Sequence, residues 1–249
     1  MRAMILIPTY NEASTVAELL HDLAILRNAD EFAFDATVID DNSPDRTADI
    51  VESLGFGWVS VLKREKKDGL GNAYRAGFAH VLADHRYDQI VTMDADGSHR
   101  VKDLPAMFAA IGPGKSIVLG TRWIAGGSVV NWPQSRQFLS KSGTRYASLA
   151  LGIKLADLTG GFRIYSRQLL DSLNLKDMNA TGYCFQIEMA LAAHLADATA
   201  TEVPITFVER INGVSKMSRT IVIEALIQTT RWGVKHRLRP NADKLHYVK

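Results

Sequence analysis

The feature that most constrains this chain is an alternation in its first half. Short β-branched runs are each followed by a stretch with apolar residues every three or four positions. Residues 3–7, 36–40, 59–62, 89–93 and 116–120 read as strands. Residues 15–26, 47–54, 70–83 and 104–111 read as helices, with Ser43 and Asp45 placed to cap the second and Asp103 the fourth. Such alternation predicts an α/β fold: a mostly parallel, Rossmann-like sheet with helices on both faces. The second half is less regular. Gly126, Gly127, Trp132 and Pro133 mark a loop, 135–151 reads as a helix, 162–166 as a strand, 185–195 as a helix and 201–208 as a strand. Residues 209–219 carry Gly, Ser and charge without a period and read as a mobile loop. An amphipathic helix over 220–236 then precedes a frayed basic end. The expected organisation is one main domain over 1–219 and a helix with a basic tail over 220–249.

A chain of 249 residues, 47% hydrophobic, can bury a sizeable core in one such domain. Its single cysteine, Cys184, excludes an internal disulfide and any zinc site built on cysteines. The first apolar run is too short for a signal-peptide core or a membrane span, and the best longer stretch, 221–234, contains Glu224 and Arg231. The net charge of +2 is unevenly placed: residues 210–249 hold nine Lys/Arg against two Asp/Glu, a balance of +7, which leaves −5 on the rest. A basic end suits an anionic surface, either nucleic acid or phospholipid. It lacks the interleaved aromatics and motifs of a nucleic-acid binder, so no nucleic-acid partner is expected.

Familiar phosphate motifs fail. Gly69-Leu70-Gly71 lacks a third glycine, because Tyr74 stands in its place, and Gly114-Lys115-Ser116 follows Ala109 where a P-loop needs glycine. What remains is acidic chemistry at strand ends, where open parallel sheets bind ligands. The first strand ends in Pro8-Thr9-Tyr10-Asn11-Glu12, the second in Asp40-Asp41-Asn42-Ser43, and the fourth in Asp94-Ala95-Asp96-Gly97-Ser98-His99. An isolated Asp-x-Asp is weak, since chance alone supplies roughly 1.3 such pairs in a chain this rich in Asp. Directly after a buried-type strand, however, paired carboxylates at the crevice rim suit Mg²⁺ or Mn²⁺ shared with phosphate oxygens.

These segments resemble family 2 glycosyltransferases with the glycosyltransferase A fold. Gly120-Thr121-Arg122, Asn131-Trp132-Pro133, Asp157-Leu158-Thr159-Gly160-Gly161-Phe162-Arg163, Gly182-Tyr183-Cys184-Phe185-Gln186 and Val214-Ser215-Lys216-Met217 narrow the resemblance to polyprenol-phosphate (dolichol-phosphate) mannose synthases, particularly the actinobacterial form. It covers about residues 3–237.

The resemblance implies inverting transfer of mannose from GDP-mannose to a polyprenyl monophosphate. Pro8, Tyr10, Glu12, Ile39 and Asp41 would line the nucleotide pocket, with Ala95 against the nucleotide. Asp94, Asp96 and Ser98 would hold a divalent cation, Mg²⁺ or Mn²⁺. Arg122, Arg136 and Ser140 would receive the acceptor phosphate, and Arg210 and Lys216 would close over the departing GDP. Asp96, Arg122 and Arg136 form the expected catalytic set. His99 reads as structural, and Glu188 has no required role as a base, because the acceptor phosphate is already largely a dianion at neutral pH. The implied location is cytoplasmic and peripheral, at the inner face of the cell membrane, through the last helix or a separate membrane-anchoring protein. Packing of that helix on the domain's own core is equally open. The alternatives are a polyprenyl-phosphate glucosyltransferase using UDP-glucose and a sugar-nucleotide binding protein without turnover.

Overall fold

The computed structural model describes residues 1–29, 32–182, 184–209, 219–238 and 240–249. In chain order the elements begin with β1 (Arg2–Thr9), α1 (Val16–Asn28), β2 (Ala33–Asp40), α2 (Thr47–Ser53), β3 (Val59–Lys63), α3 (Leu70–Leu82) and β4 (Gln89–Thr92). They continue with α4 (Leu104–Ala110), β5 (Ser116–Thr121), β6 (Ser128–Val130), α5 (Gln134–Leu151), β7 (Arg163–Ser166) and α6 (Arg167–Asp171). The last are α7 (Cys184–Leu195), β8 (Thr199–Pro204), β9 (Thr206–Val208), α8 (Arg219–Leu238) and α9 (Pro240–Tyr247).

Seven strands form one sheet in the order β3-β2-β1-β4-β7-β5-β8. All pairings are parallel except those of β7, which runs antiparallel to both β4 and β5. Helices cover both faces, so β2, β4 and β5 are buried along almost their whole length. The strand period divides them between two cores. Met4 and Leu6 of β1 join Tyr74, Phe78 and Phe185 under α3 and α7, whereas Ala3, Ile5 and Ile7 join Leu20, Leu23 and Leu104 under α1 and α4.

Several local expectations need correction. The stretch 201–208 is not one strand: β8 belongs to the main sheet, and β9 pairs in parallel with β6, a strand inside the expected 126–133 loop. The basic end is not frayed. α9 folds back so that Tyr247 is buried, Asn174 N donates to the Tyr247 carbonyl at 2.9 Å, and Leu173 bridges Val248. Asp103 stands at the N-cap of α4 without a capping bond from its side chain, which instead accepts from Thr206 N at 3.2 Å.

α8 lies on α5 at a close approach that only glycine permits, because a Cβ at Gly233 would collide with the Ala150 carbonyl. Gly233→Ala is expected to cost about 1–3 kcal/mol through overpacking. The check is a denaturant titration; an unchanged midpoint would mean that α8 does not seat on α5.

Candidate active site

The sheet order reverses direction at β1, whose neighbours are β2 on one side and β4 on the other. Ligands bind beyond the carboxyl ends of strands at such a switch point. Because β7 runs the opposite way, its beginning reaches the same rim as the ends of β4 and β5. The rim therefore collects residues from distant parts of the chain.

Side chains stitch the loops after β1 and β2 together. Thr9 donates to Asp40 Oδ1 at 2.9 Å, Asn11 N to Ser43 Oγ at 3.1 Å, and Ala13 N to Asp45 Oδ2 at 3.0 Å. Asp45 also accepts from Thr47 N at 3.1 Å, but neither Asp45 nor Ser43 is the cap of α2: Arg46 holds the N-cap position without a side-chain capping bond, and Ser43 bonds Asp40. Beyond these loops lies a cavity of about 370 Å³ lined by Pro8, Tyr10, Glu12, Asp41, Lys67, Asp94, Ala95 and Asp96. Ile39 is not among its walls; it is wholly buried in the core beneath α3. Lys67 was not foreseen as a site residue. Its ammonium sits 4.1 Å from the Tyr10 ring centre, which puts a cation at this cavity. Asp41 is paired with Arg64 at 2.6 Å, and Arg64 also reaches Asp68. Burial raises the Asp41 carboxyl above its usual value and outweighs the lowering by Arg64.

The loop after β4 is held rigidly. Asp94 N donates to His99 Nδ1 at 3.0 Å, and the His99 ring stacks on Phe162. Ser98 N donates to Asp96 Oδ1 at 3.1 Å, and Val208 N to the Ser98 carbonyl at 3.2 Å. Burial pushes the Tyr74 phenol well up, and the nearby Asp94 charge adds to the effect.

A second cavity, about 410 Å³, shares Asp94 and Asp96 with the first and adds Ser98, Arg122, Arg136, Ser140 and Gln186. The structure thus brings together the three residues expected for a metal and the three expected for an acceptor phosphate. Arg122 is buried with its guanidinium 5.1 Å from the Trp132 ring centre and 5.4 Å from that of Phe207. Its Nε and Nη2 donate to Asp157 at 2.6 and 2.8 Å, and Nη2 to Thr159 at 2.8 Å. Burial would raise the Asp157 carboxyl, but Arg122 and Thr159 outweigh it and hold the group below the usual carboxylate range. Arg136 stacks 4.2 Å from the Trp132 ring centre and pairs with Glu209. Asp157, Trp132 and Glu209 are site residues that the sequence reading missed, although the first two lie inside quoted motifs. Arg210 and Lys216 lie outside the described residues.

Among the described residues, no group of three or more His, Cys, Asp or Glu stands where it could hold a metal. Two carboxylates with a hydroxyl fit a hard cation that takes its other ligands from water and phosphate. The Ser98 hydroxyl is buried without a hydrogen-bond partner among the described residues, which agrees with that donor set. Glu188 serves the scaffold: buried, it accepts from Asn179 N, Ala180 N and the Tyr247 hydroxyl at 3.2, 3.0 and 3.3 Å.

Residues 4–173 match Glycosyl transferase family 2. The chain belongs to that family. The glycosyltransferase is 43% identical over 239 residues to an undecaprenyl-phosphate mannosyltransferase from Micrococcus luteus, covering 95% of this chain and 96% of that one. It is 38% identical over 244 residues to a polyprenol monophosphomannose synthase from Mycolicibacterium smegmatis, covering 95% and 89%. These relatives agree with the resemblance drawn from the motifs. Among solved structures, glucosyl-3-phosphoglycerate synthase from Mycobacterium tuberculosis, in complex with Mn²⁺, UDP and phosphoglyceric acid, superposes with a TM-score of 0.66 at 18% identity, covering 96% of this chain and 78% of that one. The glycosyltransferase thus has the glycosyltransferase A fold.

Proposed function

We propose that the protein transfers mannose from GDP-mannose to a polyprenyl monophosphate, releasing GDP and inverting the anomeric centre. One observation carries the reading. Ser98, Trp132, Arg136 and Gln186 all face the larger cavity, and each has buried side-chain atoms without hydrogen-bond partners among the described residues. Buried polar groups normally have a partner in protein, water or ligand, and several such groups around one cavity suit a polar ligand there. The same cavity is lined by two arginines and by Leu139, Tyr146 and Leu226. A phosphate on an apolar tail matches that combination, and the names of the two mannosyltransferase relatives support it.

In this mechanism Pro8, Tyr10, Glu12 and Asp41 hold the nucleotide, with Ala95 against it, while Lys67 meets negative charge on the donor. Asp94, Asp96 and Ser98 would hold Mg²⁺ or Mn²⁺, which when bound neutralises charge on the diphosphate. Arg122, Arg136 and Ser140 fix the acceptor phosphate. The acceptor arrives as a dianion facing an anionic donor, a repulsion of about 4 kcal/mol per pair of unit charges at 4 Å and an effective dielectric of 20. The two arginines offset it. A phosphate oxygen then attacks the anomeric carbon, the bond from that carbon to the GDP oxygen breaks, and GDP keeps the electron pair. No base is needed. Arg136 must exchange some of its contact with Glu209 for the phosphate, and Arg210 and Lys216 are assigned to the departing GDP.

No helix among the described residues is long and apolar enough to cross a membrane. Phe138 and Leu149 on α5 and Ile223 and Ile227 on α8 are exposed, and the same two helices carry the exposed Lys141, Arg145, Arg231, Lys235 and Arg237. We assign residues 220–249, with α5, to peripheral attachment at the inner face of the membrane, aided by a separate anchoring protein.

The test is transfer of labelled mannose from GDP-mannose to a short polyprenyl phosphate with Mg²⁺ or Mn²⁺. Label should enter the organic phase and disappear with EDTA. Lipid product from UDP-glucose alone would replace the donor, and no lipid product with any donor would overturn the reading.

A further inference from the structure

We propose that the Gln186 side chain hydrogen-bonds a hydroxyl of the donor sugar and thereby sets which sugar is transferred, an inference that rests on the glycosyl-transfer reading. Gln186 is 2% exposed, and neither its Nε2 nor its Oε1 has a hydrogen-bond partner among the described residues. It lines the cavity that also holds Asp94, Asp96 and Arg122, the groups assigned to the donor diphosphate and the acceptor. The transferred sugar must lie between those two, because its anomeric carbon joins them.

The amide is aimed there by an unusual support. Arg163 is fully buried, and its guanidinium donates to three carbonyls: Gln186 at 2.7 Å, Gly160 at 2.9 Å and Leu158 at 3.0 Å. One rigid fork therefore fixes the start of α7 and the loop before β7 against each other. The space in front of the amide is left open by Gly161. A Cβ built there would stand 3.3 Å from Gln186 Nε2, 3.7 Å from His99 Cε1 and 3.9 Å from Asp94 Oδ1. The chain thus leaves a cradle, bordered by an amide and a carboxylate, that any larger side chain would fill. An amide offers both a donor and an acceptor, which suits a hydroxyl that can do either.

A site built to hydrogen-bond a hydroxyl discriminates strongly against a substrate lacking it, because its own buried groups are then left unpaired. The experiment compares kcat/KM of wild type and Gln186→Met, which preserves volume, for GDP-mannose and its 2-, 3-, 4- and 6-deoxy analogues. Wild type should disfavour one deoxy donor by about 10²-fold or more. In Gln186→Met that ratio should shrink at least tenfold while the other three stay fixed. Gly161→Ala, which fills the cradle without touching the amide's chemistry, should raise KM for the donor and serves if Gln186→Met does not fold. A uniform loss with every donor would make Gln186 a structural residue, and unchanged ratios would mean that it holds only water; either overturns the inference. If the wild type transfers a different sugar, the deoxy series is read on that sugar, so failure of the donor assignment is separated from failure of the Gln186 role.

Discussion

Exchange of Asp96 for Asn is expected to cut sugar transfer by about 10²–10³-fold, the scale on which removing one preorganised electrostatic group acts, while thermal stability stays near wild type. Asp96 borders both cavities and so stands where donor and acceptor meet. One of its oxygens accepts from Ser98 N, and an asparagine carbonyl can do the same. The substitution therefore removes charge and leaves shape. Transfer kinetics together with a denaturant titration would separate the two effects. Full activity in the Asn variant would remove Asp96 from the chemistry, and a large loss of stability would show that its role is in holding the loop.

The second large effect is on folding. Asp157→Ala should destabilise the protein by about 3–5 kcal/mol, because it leaves Arg122 buried among aromatic rings without its counter-charge. The pH dependence carries a definite sign. The native Asp157 carboxyl is held below its ordinary value, by Arg122 and Thr159 against burial, so the native state favours the ionised form. That contribution is complete above the unfolded value of about 3.9 and is lost as pH falls through the native value. The stability gap between wild type and Asp157→Ala should therefore be flat near neutrality and narrow in acid. A gap that widened in acid would contradict the pairing. Arg122→Met combined with Asp157→Leu should recover most of the stability and none of the activity.

The central sheet was legible because strands buried on both faces show as apolar runs whatever surrounds them, as in the fully buried β4 and β5. The acidic rim was legible for the same reason: Asp94 and Asp96 follow such a run directly. The sequence reading failed where the cause was tertiary. β6 is three residues long and exists only because β9 lies beside it. The split at Ile205 arises because the chain changes sheets there, and a window over 201–208 sees only one β-rich run. Tyr247 sits in a charged segment with no apolar period, and its burial depends on tertiary packing that brings its hydroxyl to Glu188. Arg122 and Asp157 are 35 residues apart, so their pairing could not be read from local spacing. Ile39 does not line the smaller cavity because alternation along β2 turns its side chain inward, toward α3.

The placement of β8 bears on how the edge of the sheet is covered. The family match ends at residue 173, but β8 begins at Thr199 and pairs with β5 from Ser116↔Thr199 to Thr121↔Pro204. Without it, β5 would present a row of unpaired backbone groups flanked by buried apolar side chains, a template for another chain's strand. β8 replaces that edge with one bearing exposed Thr199 and Pro204 and the partly exposed Glu202, residues that discourage strand addition. The segment beyond the family match therefore leaves the sheet with an edge poorly suited to strand addition, while β9, just after it, brings Phe207 to the wall of the cleft.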